Sequence, residues 1–533
     1  MKRSGVERSI SVCIAVLLVL ISAAGCGAAE KKILRYGAVP MKVTLDMDLN
    51  TFNQVMDISD HIVESMIRYD GDMKLQPLLI LELPQPTENG LVYRFELKPG
   101  IKFHDGSTLK ASDVKYSFER MFRPSTGALM SWVCDMIVGA KDMLADKADS
   151  LAGFKIIDDN TFEITLEYPY APFLSALATS YAGIYPAAAC EAAGKDWGLT
   201  TYFGTGPFKV TMLDLDTGVF TERFADYHGP APKLDGIEFL FIEDPNTRRM
   251  EYERGNIDVM FLDAPMYPEY AKNPKLAPEI GEFTPMGTIF VNPNLNHEPL
   301  NNAKVREALS YAVDREMLAR DLMKGTVKPA TTFLTPGMMG YDRDAPAYVY
   351  DVAKAKQLLT EAGYPDGFSV EGYIRNTQVN STAGRTLLTL QAQYKAAGID
   401  LKIVQVDAAT WADVRKAGTV PLYIGTWYAD FADPDGFIYS LLHSSSSKTL
   451  SNNYDSPEFD KMLDDARSIT DPTAREELYR QADRKATRED YAIVPLFNET
   501  MYYLCKPYVK NFKVTPIYIF HFFNADIDLE AKK

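Results

Sequence analysis

Residues 90–124 read GLVYRFELKPGIKFHDGSTLKASDVKYSFERMFRP, and the order of elements in this stretch decides the fold. Val92, Phe95 and Leu97 open a strand, because apolar side chains interleaved with polar ones suit a half-buried sheet. Pro99-Gly100 then turns the chain, since proline presets φ and glycine accepts the left-handed region. Asp105-Gly106 makes a second tight turn. Ser112 is expected to cap a helix that carries Val114, Phe118, Met121 and Phe122 on one face.

The same alternation continues along the chain. Asn302 is placed to cap a helix bearing Val305, Ala308, Leu309, Ala312 and Val313, with Gly325 after its end. Asp351 opens a helix with Ala355, Leu358, Leu359 and Ala362 apolar and Gly363 closing it. Ser456-Pro457 and Asp471-Pro472 are cap-then-proline starts, where the missing proline N–H costs nothing. Their helices bury Phe459, Met462 and Leu463, then Leu478 and Ala482. Ile399, Leu401 and Ile403 alternate in a strand after a helix that stops at Gly398, and residues 237–242 look similar. Helices interleaved with short strands predict an α/β fold with helices packed on sheets. No internal repeat, low-complexity tract or long Pro/Gly/Ser linker interrupts the 533 residues. That pattern fits units which the chain crosses several times.

The N-terminus has the form of an export signal. Lys2, Arg3 and Arg8 precede an apolar run, Ile10 to Ile21, broken only by Ser11. The run is too short for a stable membrane span but suits a signal-peptide core. Ser22, Ala23, Ala24 and Gly25 are small, as a signal-peptidase cleft requires, and Cys26 follows. The segment Ala23-Ala24-Gly25-Cys26 resembles a bacterial lipobox, with alanine where leucine is commonest. Residues 1–25 are therefore expected to be a lipoprotein signal peptide, and Cys26 to carry a lipid that anchors the chain outside the cell membrane. The alternative is an ordinary signal peptide cut elsewhere.

Charge narrows the function. The chain has 56 basic and 72 acidic side chains, a net charge of −16, which becomes −18 without residues 1–25. Such a balance excludes a nucleic-acid binder, because phosphate contacts need a basic surface. The acidity serves solubility. An apolar share of 46% supports a large core in two or three domains. Beyond Cys26 only Cys134, Cys190 and Cys505 remain, and a Cys134–Cys190 pair is permitted but not implied.

Reactive chemistry is hard to find. His61, His104, His228, His297, His443 and His521 stand at no metal-ligand spacing, and each reads as structural or solvated. There is no nucleophile elbow and no phosphate-cradling loop. Gly204-Thr205-Gly206-Pro207 suits a turn entering a strand. Asp433-Pro434-Asp435-Gly436 lacks the spaced oxygens and closing glutamate of a calcium loop, so a tight turn is the better reading. No enzyme, metal or cofactor is expected. Aromatic residues, 11% with 30 tyrosines, fit a binding cleft.

Residues 90–124 resemble the signature region of the peptide/nickel family of ABC-transporter solute-binding proteins, relatives of the oligopeptide- and dipeptide-binding proteins. Further matches run in order along the chain: Leu45-Asp46, Leu75-Gln76-Pro77, Gly204 to Phe208, Asn256-Ile257-Asp258-Val259, Val305 to Leu309 with Asp314-Arg315, Ala362 to Phe368, and Val494-Pro495-Leu496-Phe497. The resemblance implies a two-lobed periplasmic-binding-protein fold (type II, cluster C-like) with an extra domain on the first lobe. Lobe I would combine residues 30–68, 203–285 and 505–533, the extra domain 69–202, and lobe II 286–504. Ligand would be trapped by closure about two interlobe connections. A membrane permease of an ABC importer would be the partner of this monomer.

The resemblance also points to site residues. In peptide-binding relatives an aspartate three residues after a tryptophan holds the α-ammonium of the peptide. Asp430 occupies that position after Trp427, which would form an apolar wall. A buried ammonium needs such a carboxylate, and Asp430 argues against a nickel role. Arg375 stands in a strand-end segment where dipeptide-binding relatives hold the ligand carboxylate, a task suited to a planar guanidinium. Val39 and Met41 lie where relatives supply backbone at the cleft edge. Two charges fixed about 7 Å apart would restrict the ligand to dipeptides, whereas Asp430 alone would admit longer peptides. A receptor for an oligosaccharide or metal chelate, and a peptide-binding chaperone or signalling receptor, are the competing readings.

Overall fold

A computed structural model describes residues 30–40, 42–517 and 520–532. The expected signal segment, Cys26 and Met41 lie outside the described residues. Two large sheets organise the chain. The first has seven strands, in the order Ile280–Phe283, Met501–Cys505, Val259–Leu262, Ile33–Ala38, Gly236–Phe241, Gly218–Arg223 and Phe208–Asp214. Ile33–Ala38 is parallel to both of its neighbours, and the remaining pairs are antiparallel. The second has six strands, ordered Val327–Pro329, Val494–Glu499, Gly287–Pro293, Leu422–Tyr428, Phe368–Arg375 and Ile399–Val406. Every residue of Gly287–Pro293 is buried, as expected of a strand covered on both faces. Phe368–Arg375 and Ile399–Val406 pair in parallel, joined through the helix Thr382–Ala397. That crossover is the βαβ unit which parallel neighbours need. A smaller three-stranded sheet orders Val92–Glu96, Thr161–Thr165 and Phe154–Ile156.

The chain passes between the large sheets twice, at residues 284–286 and at Thr500. The two crossings are neighbours, because the strands before and after them pair with each other on both sides. The expected border at residue 504 cuts through Met501–Cys505. Its pairing with Val259–Leu262 moves that border to Thr500.

Local chemistry explains most element ends. Asn302, Asp351, Ser456 and Asp471 all cap helices, each accepting a first-turn N–H. Gly398 ends its helix at φ 95°, a conformation that glycine adopts without strain. Ser112, however, is not a cap. The helix spans Ala111–Phe122, Lys110 is the cap residue, and Asp113 Oδ2 accepts the Lys110 N–H at 3.0 Å. A carboxylate is favoured over a hydroxyl at the positive end of the helix. The helix begun at Asn302 stops at Tyr311, well short of Gly325. Asp314 caps a second start there, accepting the Met317 N–H at 2.8 Å.

Gly204-Thr205-Gly206-Pro207 does lead into a strand, Phe208–Asp214. Its glycines lie against backbone: a Cβ at Gly204 would stand 2.2 Å from the Ile62 carbonyl oxygen. His104 is buried here, bonded to the Gly206 carbonyl at 2.8 Å, and burial pushes its imidazole down to about 4. His228 bonds Glu64 at 2.7 Å. Both histidines are structural. Cys134, Cys190 and Cys505 are free thiols.

A candidate ligand cleft beside the six-stranded sheet

The strand Leu422–Tyr428 carries the site. Its first four residues are buried in the six-stranded sheet, whereas Thr426 is exposed and Trp427 half-buried as the strand leaves it. Trp427 Nε1 donates to the Gly436 carbonyl at 3.1 Å, which sets the indole against the following loop. The Ala429 N–H donates to the Met286 carbonyl at 2.8 Å. The loop is thus tied to the first crossing between the sheets.

Asp430 comes next, and no side chain or backbone group of the described residues pairs with it. Removal from water pushes its carboxyl up to about 7. The Tyr181 ring lines the same space and feels the Asp430 charge. A desolvated acid without a partner is costly in a folded chain, so it marks a candidate site.

The residues after Asp430 form a rigid base. Asp433 receives a bidentate pair from Arg475, at 2.6 and 2.7 Å. Asp435 is met by Arg467 at 2.9 Å and by the Tyr170 hydroxyl at 2.6 Å. The Ala171 N–H donates to the Arg467 carbonyl at 2.7 Å, and the Ala432 N–H donates to the Tyr69 hydroxyl at 3.2 Å. Arg467 also lies 3.7 Å over the Tyr439 ring. Asp433-Pro434-Asp435-Gly436 does turn the chain, with the Asp435 N–H donating to Asp433 Oδ1 at 2.9 Å. Its carboxylates are engaged by arginines.

In front of this base lies a cleft of about 1000 Å³, a size suited to a small organic ligand. Its walls come from distant parts of the chain: Thr51, Trp132 and Tyr168 on one side, Arg415, Trp427 and Asp430 on the other. Two of the expected residues, Trp427 and Asp430, therefore stand together. Arg375 ends its strand half-buried, gives its Nε to Gln378 at 3.0 Å, and is not part of the cleft wall. Burial and the nearby Arg415 charge both lower its pKa. Val39 lines a separate hollow beside Asp57 and Arg248.

Two lining residues were not legible beforehand. Arg415 sits in the last turn of the helix Ala408–Lys416, where a basic residue ordinarily answers the helix dipole. Asp135 follows the turn Ser131–Val133, and nothing in its neighbours sets it apart from a surface acid.

Residues 74–449 match the family model of bacterial extracellular solute-binding proteins, family 5 Middle. The dipeptide-binding protein of Escherichia coli K12 is 28% identical over 83% of this chain and 84% of its own length. The glutathione-binding protein GsiB of Escherichia coli O1:K1 is 29% identical over 98% of this chain and 99% of its own. The periplasmic binding protein DppA of Helicobacter pylori, solved with the peptide STSA, superposes with a TM-score of 0.77 at 24% identity, covering 93% of this chain and 98% of that one. This last likeness concerns the fold, which is that of periplasmic binding proteins, as expected. With more than half of its length inside the family model, the chain belongs to the bacterial extracellular solute-binding proteins of family 5.

Proposed function

We propose that the chain captures short peptides in the cleft between the strand Leu422–Tyr428 with its following loop and the segments around Thr51, Trp132 and Tyr168, and delivers them to the permease of an ABC importer, without catalysing a reaction. One observation carries the reading: the cleft holds a desolvated, unpartnered carboxylate, Asp430, beside an aromatic wall. A peptide α-ammonium is the natural counter-ion for such a group. The names of two relatives agree, since dipeptides and glutathione both carry an ammonium and a carboxylate. Trp427 packs on the ligand, and Arg415, which lines the cleft where Arg375 does not, meets the carboxylate end. The chain works as a monomer of two lobes and an extra domain that close on the ligand.

The test is direct. Ligand released by denaturing the purified protein is identified by mass spectrometry, and thermal shifts are then measured with di-, tri- and pentapeptides. Peptide at one hundred times its dissociation constant should add about 2.7 kcal/mol. A shift with a sugar and none with any peptide would sink the reading. The lipid on Cys26 holds the domain near its permease, as the small residues before that cysteine suggest. Cys26→Ser should move the chain from the membrane fraction to the soluble one, and an unchanged distribution would refute the anchor.

A further inference from the structure

Three charged groups in the cleft wall lack an oppositely charged partner among the described residues. Asp430 is the first. Asp135, half-buried on the opposite wall, is the second: among the described residues no hydrogen bond or ion pair engages it. Arg415 is the third. It has no carboxylate within 4.0 Å, and its Nε is buried without a hydrogen bond. The remaining charges in the wall are satisfied, Lys141 by Glu167 at 2.5 Å and Arg467 by Asp435 at 2.9 Å. Two acids and one base are thus left over.

Closure of the cleft removes water from these groups, and a buried charge without a counter-charge is strongly unfavourable. A complementary ligand must therefore bring two positive charges and one negative. The zwitterion of a simple peptide brings one of each. The second positive charge has to come from a side chain.

We propose that the cleft selects peptides with a basic side chain, in which Asp430 takes the α-ammonium, Arg415 a carboxylate and Asp135 the side-chain cation. The proposal rests on the peptide reading above. The surroundings of Asp135 suit a long cationic side chain. Trp132, Tyr168 and Tyr439 also line the cleft, offering ring faces that attract a cation and apolar area for its methylene stem. Lys141 and Arg467 do not already serve Asp135: burial outweighs their pull and holds its carboxyl above the ordinary range.

Calorimetry on the exported chain tests the idea with tripeptides carrying lysine, norleucine or glutamate at each position in turn. Norleucine keeps the stem of lysine and removes the charge. At one position or more, the lysine peptide should bind at least ~10-fold tighter than its norleucine twin, as expected of one charge-assisted hydrogen bond. Asp135→Asn should erase that advantage, and Asp135→Glu should retain most of it. Equal affinities for lysine and norleucine at every position would overturn the proposal while leaving peptide capture standing. So would a lysine advantage that survives in Asp135→Asn. If no tripeptide binds at all, peptide capture and this proposal fall together.

Discussion

At the scale of single residues, Asp430 decides most. Its carboxyl is pushed up to about 7 by removal from water, with no cation among the described residues to offset this. The unfolded value is about 3.9. A carboxyl raised in the folded state contributes stability below its unfolded value, and that contribution is lost as pH rises through about 7. At neutral pH the ionised group therefore strains the unliganded protein. Asp430→Asn should raise the melting temperature of the free chain at pH 8 and leave it little changed at pH 4. The same substitution should weaken peptide binding about 30-fold or more, since truncating one partner of a buried charge pair costs about 2–5 kcal/mol. Melting curves at both pH values, with and without peptide, check both effects. An unchanged peptide affinity would remove Asp430 from the site. Asp430 was legible from its place after Trp427, but its desolvation was not, because Tyr181 is supplied by a distant segment. Arg415 and Asp135 were hidden for the same reason: each looks like an ordinary surface charge until the fold brings it to the cleft.

At the scale of elements, the paired helices Pro457–Ser468 and Pro472–Arg484 hold the loop after Asp430 in place. They carry Arg467 and Arg475, which clamp Asp435 and Asp433. Arg475 is the sharper probe, because both members of its pair are buried. Arg475→Leu leaves the Asp433 carboxylate buried and unpaired, which should cost about 3–5 kcal/mol. Chemical denaturation of the free protein measures this, and a loss under 1 kcal/mol would show that the clamp is not structural. Short-range signals explain which elements could be foreseen. Caps followed by proline and a glycine stop after a helix are encoded within a few residues, so Ser456-Pro457, Asp471-Pro472 and Gly398 read correctly. Ser112 misled because the helix starts one residue before it, at Ala111, with Asp113 reaching back to accept the Lys110 N–H. The loop 433–436 was legible as a turn, but its arginine partners lie on the helices after it, so its role as an anchor was not.

At the scale of the molecule, two sheets joined by adjacent crossings at residues 284–286 and Thr500 make a natural hinge. The alternation of helices and strands predicted the α/β architecture, and the order of family motifs predicted its kind. The position of the second crossing could not be read closely, since Val494–Glu499 and Met501–Cys505 are separated by one residue yet belong to different sheets. Ligand held across the hinge couples closure to the charge on Asp430. Below about pH 7 an entering ammonium must displace a proton, so affinity should fall up to ~10-fold per pH unit on that side and level off above it. The central claim is that a peptide amino group enters the cleft and meets Asp430. Calorimetric titration at pH 6 with a tripeptide that binds, and with its N-acetylated form, tests this most directly when repeated in two buffers of different ionisation heat. The free peptide should bind with release of about one proton, and the acetylated peptide should give no binding heat. Equal binding of the two, with no proton released, would contradict the account.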